Sequence, residues 1–255
     1  MGNRRLTAFF FLLLGWSFVP ATATAADYLA SIGDTVSVSG GVVMVEAGDG
    51  FLLDTHHDRS YSCEGVPSDS QSEFGFNTEL VGTIDNSNTI TAVPNADMAP
   101  HVTGPLGGGG TARLSFVAVN PDRYRLSVAT ARTGGEDVAV RCFETTLFGG
   151  FNTYLNQYNY LELVNYSDRP ISGAFVLTDN DHKERARLPF SVPGGSRVDF
   201  DLHGRVGRDL YGLVKVIHNG PVRALGGSVA FYSKRAPEST DIVLRGRFRL
   251  RSALN

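Results

Sequence analysis

Residues Phe143 to Asp168, FETTLFGGFNTYLNQYNYLELVNYSD, decide how this 255-residue chain is read. On their N-terminal side the β-branched run DVAVRC ends at Cys142 like a strand. Phe148-Gly149-Gly150-Phe151-Asn152 then interrupts the pattern with a glycine pair of the kind that connectors carry. A fresh period-2 run begins at Tyr158 and continues to Asn165. The stretch thus closes one β-rich half and opens another, with the boundary expected within residues 146–152.

C-terminal to it, six further segments have strand composition: Ile171 to Thr178, Ala186 to Phe190, Arg197 to Leu202, Leu210 to His218, Val222 to Tyr232 and Asp241 to Leu250. Turn chemistry separates them, at Ser167-Asp168-Arg169-Pro170, Asp179-Asn180-Asp181-His182, Pro193-Gly194-Gly195 and Asn219-Gly220-Pro221. This spacing is that of an antiparallel sandwich. N-terminal to the boundary, Gly40-Gly41 and Gly48-Asp49-Gly50 punctuate short strands and predict hairpins. Ser60 to Glu64 reads as a strand. Residues 65–110 are polar, proline-bearing and glycine-rich at Gly107 to Gly110, so most of that segment is expected to be loop. Leu114 to Val119 and Tyr124 to Ala129, joined by Asn120-Pro121-Asp122-Arg123, form the strongest predicted hairpin. No long stretch has helical period. The expected fold is all-β, two jelly-roll-like antiparallel β-sandwiches in tandem over residues 27–146 and 147–255.

The N-terminus carries Arg4 and Arg5, an apolar run from Leu6 to Val19, Pro20 and the small residues Ala21 to Ala26, the pattern of a secretory signal peptide over residues 1–26. The apolar run is 14 residues long, short of the roughly 20 that a membrane span needs. No transmembrane segment is expected after cleavage, and the expected location is secreted, periplasmic or cell-surface. Removing two arginines from a chain of net charge −3 leaves about −5, a balance that does not favour nucleic acid as a partner. The only tryptophan, Trp16, lies in the leader, which weighs against a tryptophan-based sugar platform but leaves tyrosine available. Two cysteines in an exported chain, Cys63 and Cys142, predict a disulfide.

Asp58-Arg59-Ser60-Tyr61-Ser62-Cys63-Glu64, Arg113-Leu114-Ser115-Phe116, Asp122-Arg123-Tyr124-Arg125-Leu126-Ser127-Val128 and Val140-Arg141-Cys142-Phe143-Glu144-Thr145-Thr146 together resemble bacterial pre-peptidase C-terminal-like domains. The resemblance spans residues 34–146, and Arg123 stands where the family pattern has glycine. It implies a small jelly-roll sandwich that accompanies secreted proteins and is usually not catalytic. Tyr160 to Asn165 with Pro170 to Gly173 resembles the β-sandwich of sensory-rhodopsin-transducer-like proteins, and implies a sandwich only.

Four groupings are candidates for chemistry. Asp199, Asp201 and His203 alternate, so a continuous strand would put all three on one face, where they could hold a divalent ion or act as acid and base, or simply be a solvated face. Arg245, Arg247, Arg249 and Arg251 recur at every second residue, an arrangement that suits an anionic polymer or protects an edge strand from pairing. His56, His57 and Asp58 are adjacent and point to different sides of an extended chain. Tyr154, Tyr158, Tyr160 and Tyr166 line a cleft or pack between the halves. Asp179-Asn180-Asp181 lacks the glycine and distal glutamate of a calcium loop and reads as a turn, with Asp49 and Asp97 no better. No Gly-x-Ser-x-Gly, HExxH or phosphate loop is present, so no catalytic residue and no cofactor is expected. The expected function is a non-enzymatic binding or structural module of the bacterial envelope or surface, its partner a cell-surface glycan or a protein. The alternatives are a glycan- or anionic-polymer-binding protein and a metal-dependent hydrolase at Asp199, Asp201 and His203.

Overall fold

A computed structural model describes residues 29–30, 35–36, 42–46, 50–67, 74–85, 88–91, 101–103, 112–118, 123–130, 137–236 and 239–252. The expected leader, the Gly107 to Gly110 tract, Asp49 and Asp97 lie outside the described residues. Within them the chain is strand apart from a 3-10 turn at Tyr154–Asn156 and a single helical turn, α1 (His203–Val206).

Eleven strands precede the Phe143 to Asp168 stretch or end in it: β1 (Leu29–Ala30), β2 (Thr35–Val36), β3 (Val43–Glu46), β4 (Gly50–Asp54), β5 (Arg59–Pro67), β6 (Phe74–Asp85), β7 (Asn88–Thr91), β8 (His101–Thr103), β9 (Ala112–Ala118), β10 (Arg123–Thr130) and β11 (Asp137–Glu144). They form one sheet of order β1-β3-β11-β5-β9-β8 and another of order β2-β4-β10-β6-β7. Two expected hairpins are therefore absent. β3 and β4, flanking Gly48-Asp49-Gly50, belong to different sheets, and so do β9 and β10. Turn residues dictate where the chain reverses, but the apolar faces decide which sheet it joins. Val45 of β3 and Phe51 and Leu53 of β4 are all fully buried, delivered from separate sheets.

Cys63 of β5 and Cys142 of β11 are direct cross-strand neighbours and form a disulfide. Both are fully buried. Beside them Tyr61 packs on Phe116 with ring centroids 5.8 Å apart, and its hydroxyl accepts the His56 N–H at 2.7 Å.

After the two-residue link Thr145-Thr146 come β12 (Leu147–Asn152), β13 (Gln157–Asn165), β14 (Ile171–Asp179), β15 (Glu184–Val192), β16 (Arg197–Asp201), β17 (Tyr211–His218), β18 (Leu225–Lys234), β19 (Ile242–Arg249) and β20 (Arg251–Ser252). A five-stranded sheet of order β15-β14-β17-β12-β20 and a four-stranded sheet of order β16-β13-β18-β19 result. Alternate residues of both, including Phe151, Leu161, Leu163, Phe175, Leu177, Val214, Val216 and Val229, meet in one core, the 2.0-residue period turning each apolar set the same way. The Gly149-Gly150 pair is not a connector. It lies inside β12, where a Cβ on Gly149 would stand 2.5 Å from Leu250 Cδ2, so the glycine makes room for a core side chain. Leu250 also ends β19: its N–H bonds Gly227 O at 2.9 Å, and the chain crosses to place β20 on β12.

The outer face of the five-stranded sheet meets the first half through Asp58. This residue holds a left-handed backbone, φ 61°, and its N–H donates to Ala118 O at 2.7 Å. Arg187 Nη1 and Nη2 donate to its two carboxylate oxygens at 2.7 and 2.8 Å, and Lys215 Nζ donates to Oδ2. Arg187 and Lys215 flank Val176 in one row across β15, β14 and β17. Val117, Ala174 and Ile217 form an apolar patch, and Val222 N–H reaches Ser62 Oγ at 3.2 Å. His218 is fully buried, its Nε2 donating to Thr145 O at 3.0 Å and its Nδ1 accepting from Gly220 N–H at 3.1 Å. Neutral imidazole satisfies both contacts, and burial holds its pKa at about 4. Burial alone would raise the Asp58 carboxyl, but Arg187 and Lys215 outweigh it and hold it at about 2.

Both groups have pKa values depressed by folding, so each stabilises the protein above its unfolded value and loses that contribution as pH falls through its folded value. His218 should titrate out between 6.5 and about 4, and Asp58 between 3.8 and about 2. We expect the melting temperature to fall in two acid steps, the upper worth about 3 kcal/mol at most and the lower about 2 kcal/mol at most. A His218→Gln variant scanned by calorimetry from neutral to acid should lack the upper step; a step that survives unchanged would move its origin elsewhere. The disulfide closes a loop of 79 residues, so Cys63→Ser with Cys142→Ser should lose about 4 kcal/mol of unfolding free energy in urea.

Candidate functional site

The first half covers part of the outer face of the five-stranded sheet; the corresponding face of the four-stranded sheet carries no such cover among the described residues. Register builds that face in rows. Asp201, Tyr160, Ala230 and Arg247 are cross-strand neighbours over β16, β13, β18 and β19. One row on, Asp199, Glu162, Ser228 and Arg249 align, and in the other direction Tyr158, Tyr232 and Leu244. Tyrosine rings therefore occupy one end of the face and charged groups the other.

Glu162 is the hub of the charged end. Its side chain is 5% exposed, although it points to the outer side, because three side chains cover it. Arg197 Nη2 donates to Oε1 at 2.7 Å, Arg247 donates through Nη2 to Oε1 at 2.9 Å and stands with Nε 2.7 Å from Oε2, and Ser228 Oγ–H donates to Oε2 at 2.6 Å. Arg197 also forks onto both oxygens of Asp199, at 2.7 and 2.8 Å. Arg247 and Arg249 in these rows and Arg197 just beyond them thus stand with the carboxylates of Glu162, Asp199 and Asp201, three charges of each sign. At the aromatic end Tyr160 meets Tyr232 edge-on at 5.5 Å. Burial and the adjacent Asp201 carboxylate push the Tyr160 phenol above its ordinary pKa. Tyr158 meets the His203 ring edge-on at 4.6 Å.

The expected acidic triad does not lie along one continuous strand. Asp199 and Asp201 share the face, but β16 ends at Asp201, which accepts the Gly204 N–H at 3.1 Å and starts α1. His203 therefore sits on a helical turn rather than at the next alternate strand position, with Nδ1 2.6 Å from Asp201 Oδ1. Asp199 is engaged by Arg197. No group of three or more His, Cys, Asp or Glu side chains among the described residues is arranged to hold a metal ion.

The arginine series is also broken, twice. A bulge shifts the β18–β19 register between Phe231 and Tyr232 and takes Arg245 out of the ladder, and its Nε donates to Ser233 Oγ at 2.6 Å. The crossing at Leu250 carries Arg251 to the other sheet. Only Arg247 and Arg249 remain side by side. Of the tyrosines, Tyr158 and Tyr160 lie on this face, Tyr154 and Tyr166 are exposed, and none packs between the halves. His56 and His57 are exposed, while Asp58 is the interface carboxylate. Asp179 closes a polar turn, its Oδ1 accepting the N–H groups of Asp181 and Lys183. Sequence reading missed Glu162, Ser228 and Tyr232; the alternation Tyr158, Tyr160, Glu162 was the available signal.

No helix among the described residues is long and apolar enough to cross a membrane. No family model matches the chain, and no curated protein matches it.

Removing the Glu162 charge leaves two guanidinium groups facing each other over a covered site. Both are half-exposed, so solvent moderates the penalty. Glu162→Gln should lower the unfolding free energy by about 2 kcal/mol, whereas Asp199→Asn, at the open edge, should cost under about 1 kcal/mol; equal losses in urea titrations would remove Glu162 from its central role.

Proposed function

We propose that this protein is an exported, non-enzymatic binding module of the bacterial envelope or surface. In this reading residues 1–26 are a signal peptide, residues 27–146 form a sandwich of the pre-peptidase C-terminal-like type and residues 147–255 form a second sandwich. The binding surface is the outer face of the four-stranded sheet, and its ligand is a glycan.

The observation that carries the proposal is the common placement of the half-buried Tyr158, Tyr160 and Tyr232 beside Arg247 and Arg249 on one sheet face. Phenol rings offer apolar platforms for the C–H faces of sugar rings, and their hydroxyls hydrogen-bond. Guanidinium groups fixed by Glu162 present further donors in a defined plane. A charge-balanced face suits a neutral polysaccharide better than an anionic polymer. The two exported cysteines, paired and buried, agree with an oxidising compartment.

Affinity electrophoresis and calorimetry against neutral and acidic polysaccharides test the reading. Expected are saturable binding to a neutral glycan, little change as salt rises, and at least a tenfold loss, about 1.4 kcal/mol, in Tyr160→Ala with Tyr232→Ala. Binding that collapses with salt and with Arg247→Ala plus Arg249→Ala would substitute the anionic-polymer reading. A stoichiometric metal in the purified protein, lost in Asp201→Ala, would substitute the metal-dependent hydrolase reading.

A further inference from the structure

At the opposite sheet, where the ends of β12, β14 and β17 converge, lies a cleft of about 410 Å³. Phe151, Asn152, Asp179, Asn180, His182 and Tyr211 line it, with Gly212 and Leu213 at the wall. This is the size range of small-ligand sites. The cleft shares no residue with the tyrosine face.

Its chemistry excludes most ligand classes in turn. Asp179 is the one carboxylate, and it is fully engaged: Oδ1 takes two backbone N–H groups and Oδ2 takes Arg185 Nε. The Lys183 N–H, the Arg185 guanidinium and the Asp181 N–H keep its pKa below the ordinary value despite burial. It therefore has little left to give a cation. No lysine or arginine lines the cleft, so nothing there answers a phosphate or carboxylate. Two amides and an imidazole make it a poor home for a purely apolar molecule. What fits is a neutral ligand with one apolar face and an edge of hydrogen-bonding groups.

The walls are prepared for such a ligand. Tyr211 is 46% exposed, and its ring stands 5.7 Å from that of Tyr154, itself 42% exposed. Asn180 Nδ2 donates to Tyr211 Oη at 3.3 Å, which ties the platform to the rim and leaves Asn180 Oδ1 uncommitted. Asn152 Oδ1 accepts the Tyr154 N–H at 2.9 Å, leaving Asn152 Nδ2 to face outward chemistry. Behind it Asn159, fully buried, accepts the Asn152 N–H through Oδ1, while its Nδ2 has no hydrogen-bond partner. Asn159 belongs to β13 in the facing sheet, and an orphaned buried donor there calls for a reason. Backbone strain gathers here too. Of five described non-glycine residues with positive φ, Leu155, His182 and Asp209 stand at this end of the sheet, and such strain concentrates at ligand sites.

We infer that the cleft between β12, β14 and β17 is a binding site for a single neutral sugar residue, stacked on Tyr211 and hydrogen-bonded by Asn152 and Asn180. The affinity is that of an isolated ring, in the millimolar range. This site is independent of the proposed tyrosine face and stands or falls separately.

The test is a heteronuclear NMR titration of the purified protein with D-glucose, D-galactose, D-mannose and N-acetylglucosamine to tens of millimolar. Expected is saturable movement of amide signals from Phe151, Asn152, Asn180, His182 and Tyr211 with at least one of them, unchanged in Tyr160→Ala. Tyr211→Ala should weaken binding by at least about tenfold, and Tyr211→Phe, which keeps the ring, should retain most of it. Asn180→Ala, on an exposed turn, serves as the variant least able to disturb folding and should weaken binding several-fold. No saturable shift with any of the four sugars overturns the inference. So does binding that survives Tyr211→Ala and Asn180→Ala, or that disappears with Tyr160→Ala instead.

Discussion

One carboxylate fixes how the two halves of this chain meet. Asp58 reaches out of a turn with a left-handed backbone and is held by a forked arginine and a lysine from two strands of the facing sheet. A buried ion cluster of this kind contributes little net stability, because desolvation offsets the attraction. Its value is directional. The apolar patch of Val117, Ala174 and Ile217 is small and would tolerate sliding; three charge-assisted bonds at one atom pair would not. The consequence runs outward: with Arg187 and Lys215 committed to Asp58 and Val176 buried between them, the opposite sheet is left to present Tyr158, Tyr160 and Tyr232.

The same logic of long-range neutralisation governs that presented face. Glu162 sits at the centre of the strand order and collects Arg197 from one side and Arg247 from the other. Arg247, part of what looks like a stripe along β19, becomes a donor with a fixed plane. Orientation, rather than charge, is what the face offers a ligand, and rings held edge-on at 5.5 Å offer the same.

Much of this was legible in the sequence. The expected strands from Tyr160 to Leu250 match β13 to β19 to within a few residues, because each has a clean alternation bounded by turn residues. The pairing Cys63 with Cys142 followed from their number and the expected leader. Sheet membership was not legible: Asp49-Gly50 and Asn120-Pro121 mark reversals but say nothing about which sheet receives the next strand. Gly149-Gly150 misled for a related reason, since a glycine required by Leu250, about 100 residues later, looks like a glycine required by a turn. Local alternation puts Glu162 on the face of Tyr158 and Tyr160, but its role as a hub was not legible, its partners being 35, 66 and 85 residues away. Asp58 looked like the third member of a polar trio with His56 and His57 until Arg187, 129 residues on, came to meet it.

The crossing at Leu250 has a meaning for the order in which the molecule is made. β20 closes the five-stranded sheet against β12, pairing Arg251 with Phe148, so β12, already paired with β17, gains its second neighbour from about 100 residues further on. Contacts of such sequence separation form late and slowly, since the intervening loop must be closed before they repay it. Without that crossing there is neither β20 on the edge of β12 nor Leu250 to fill the space over Gly149. The outer edge of β12 would then be an unpaired strand edge beside an open core, the kind of surface on which a sheet adds a foreign strand.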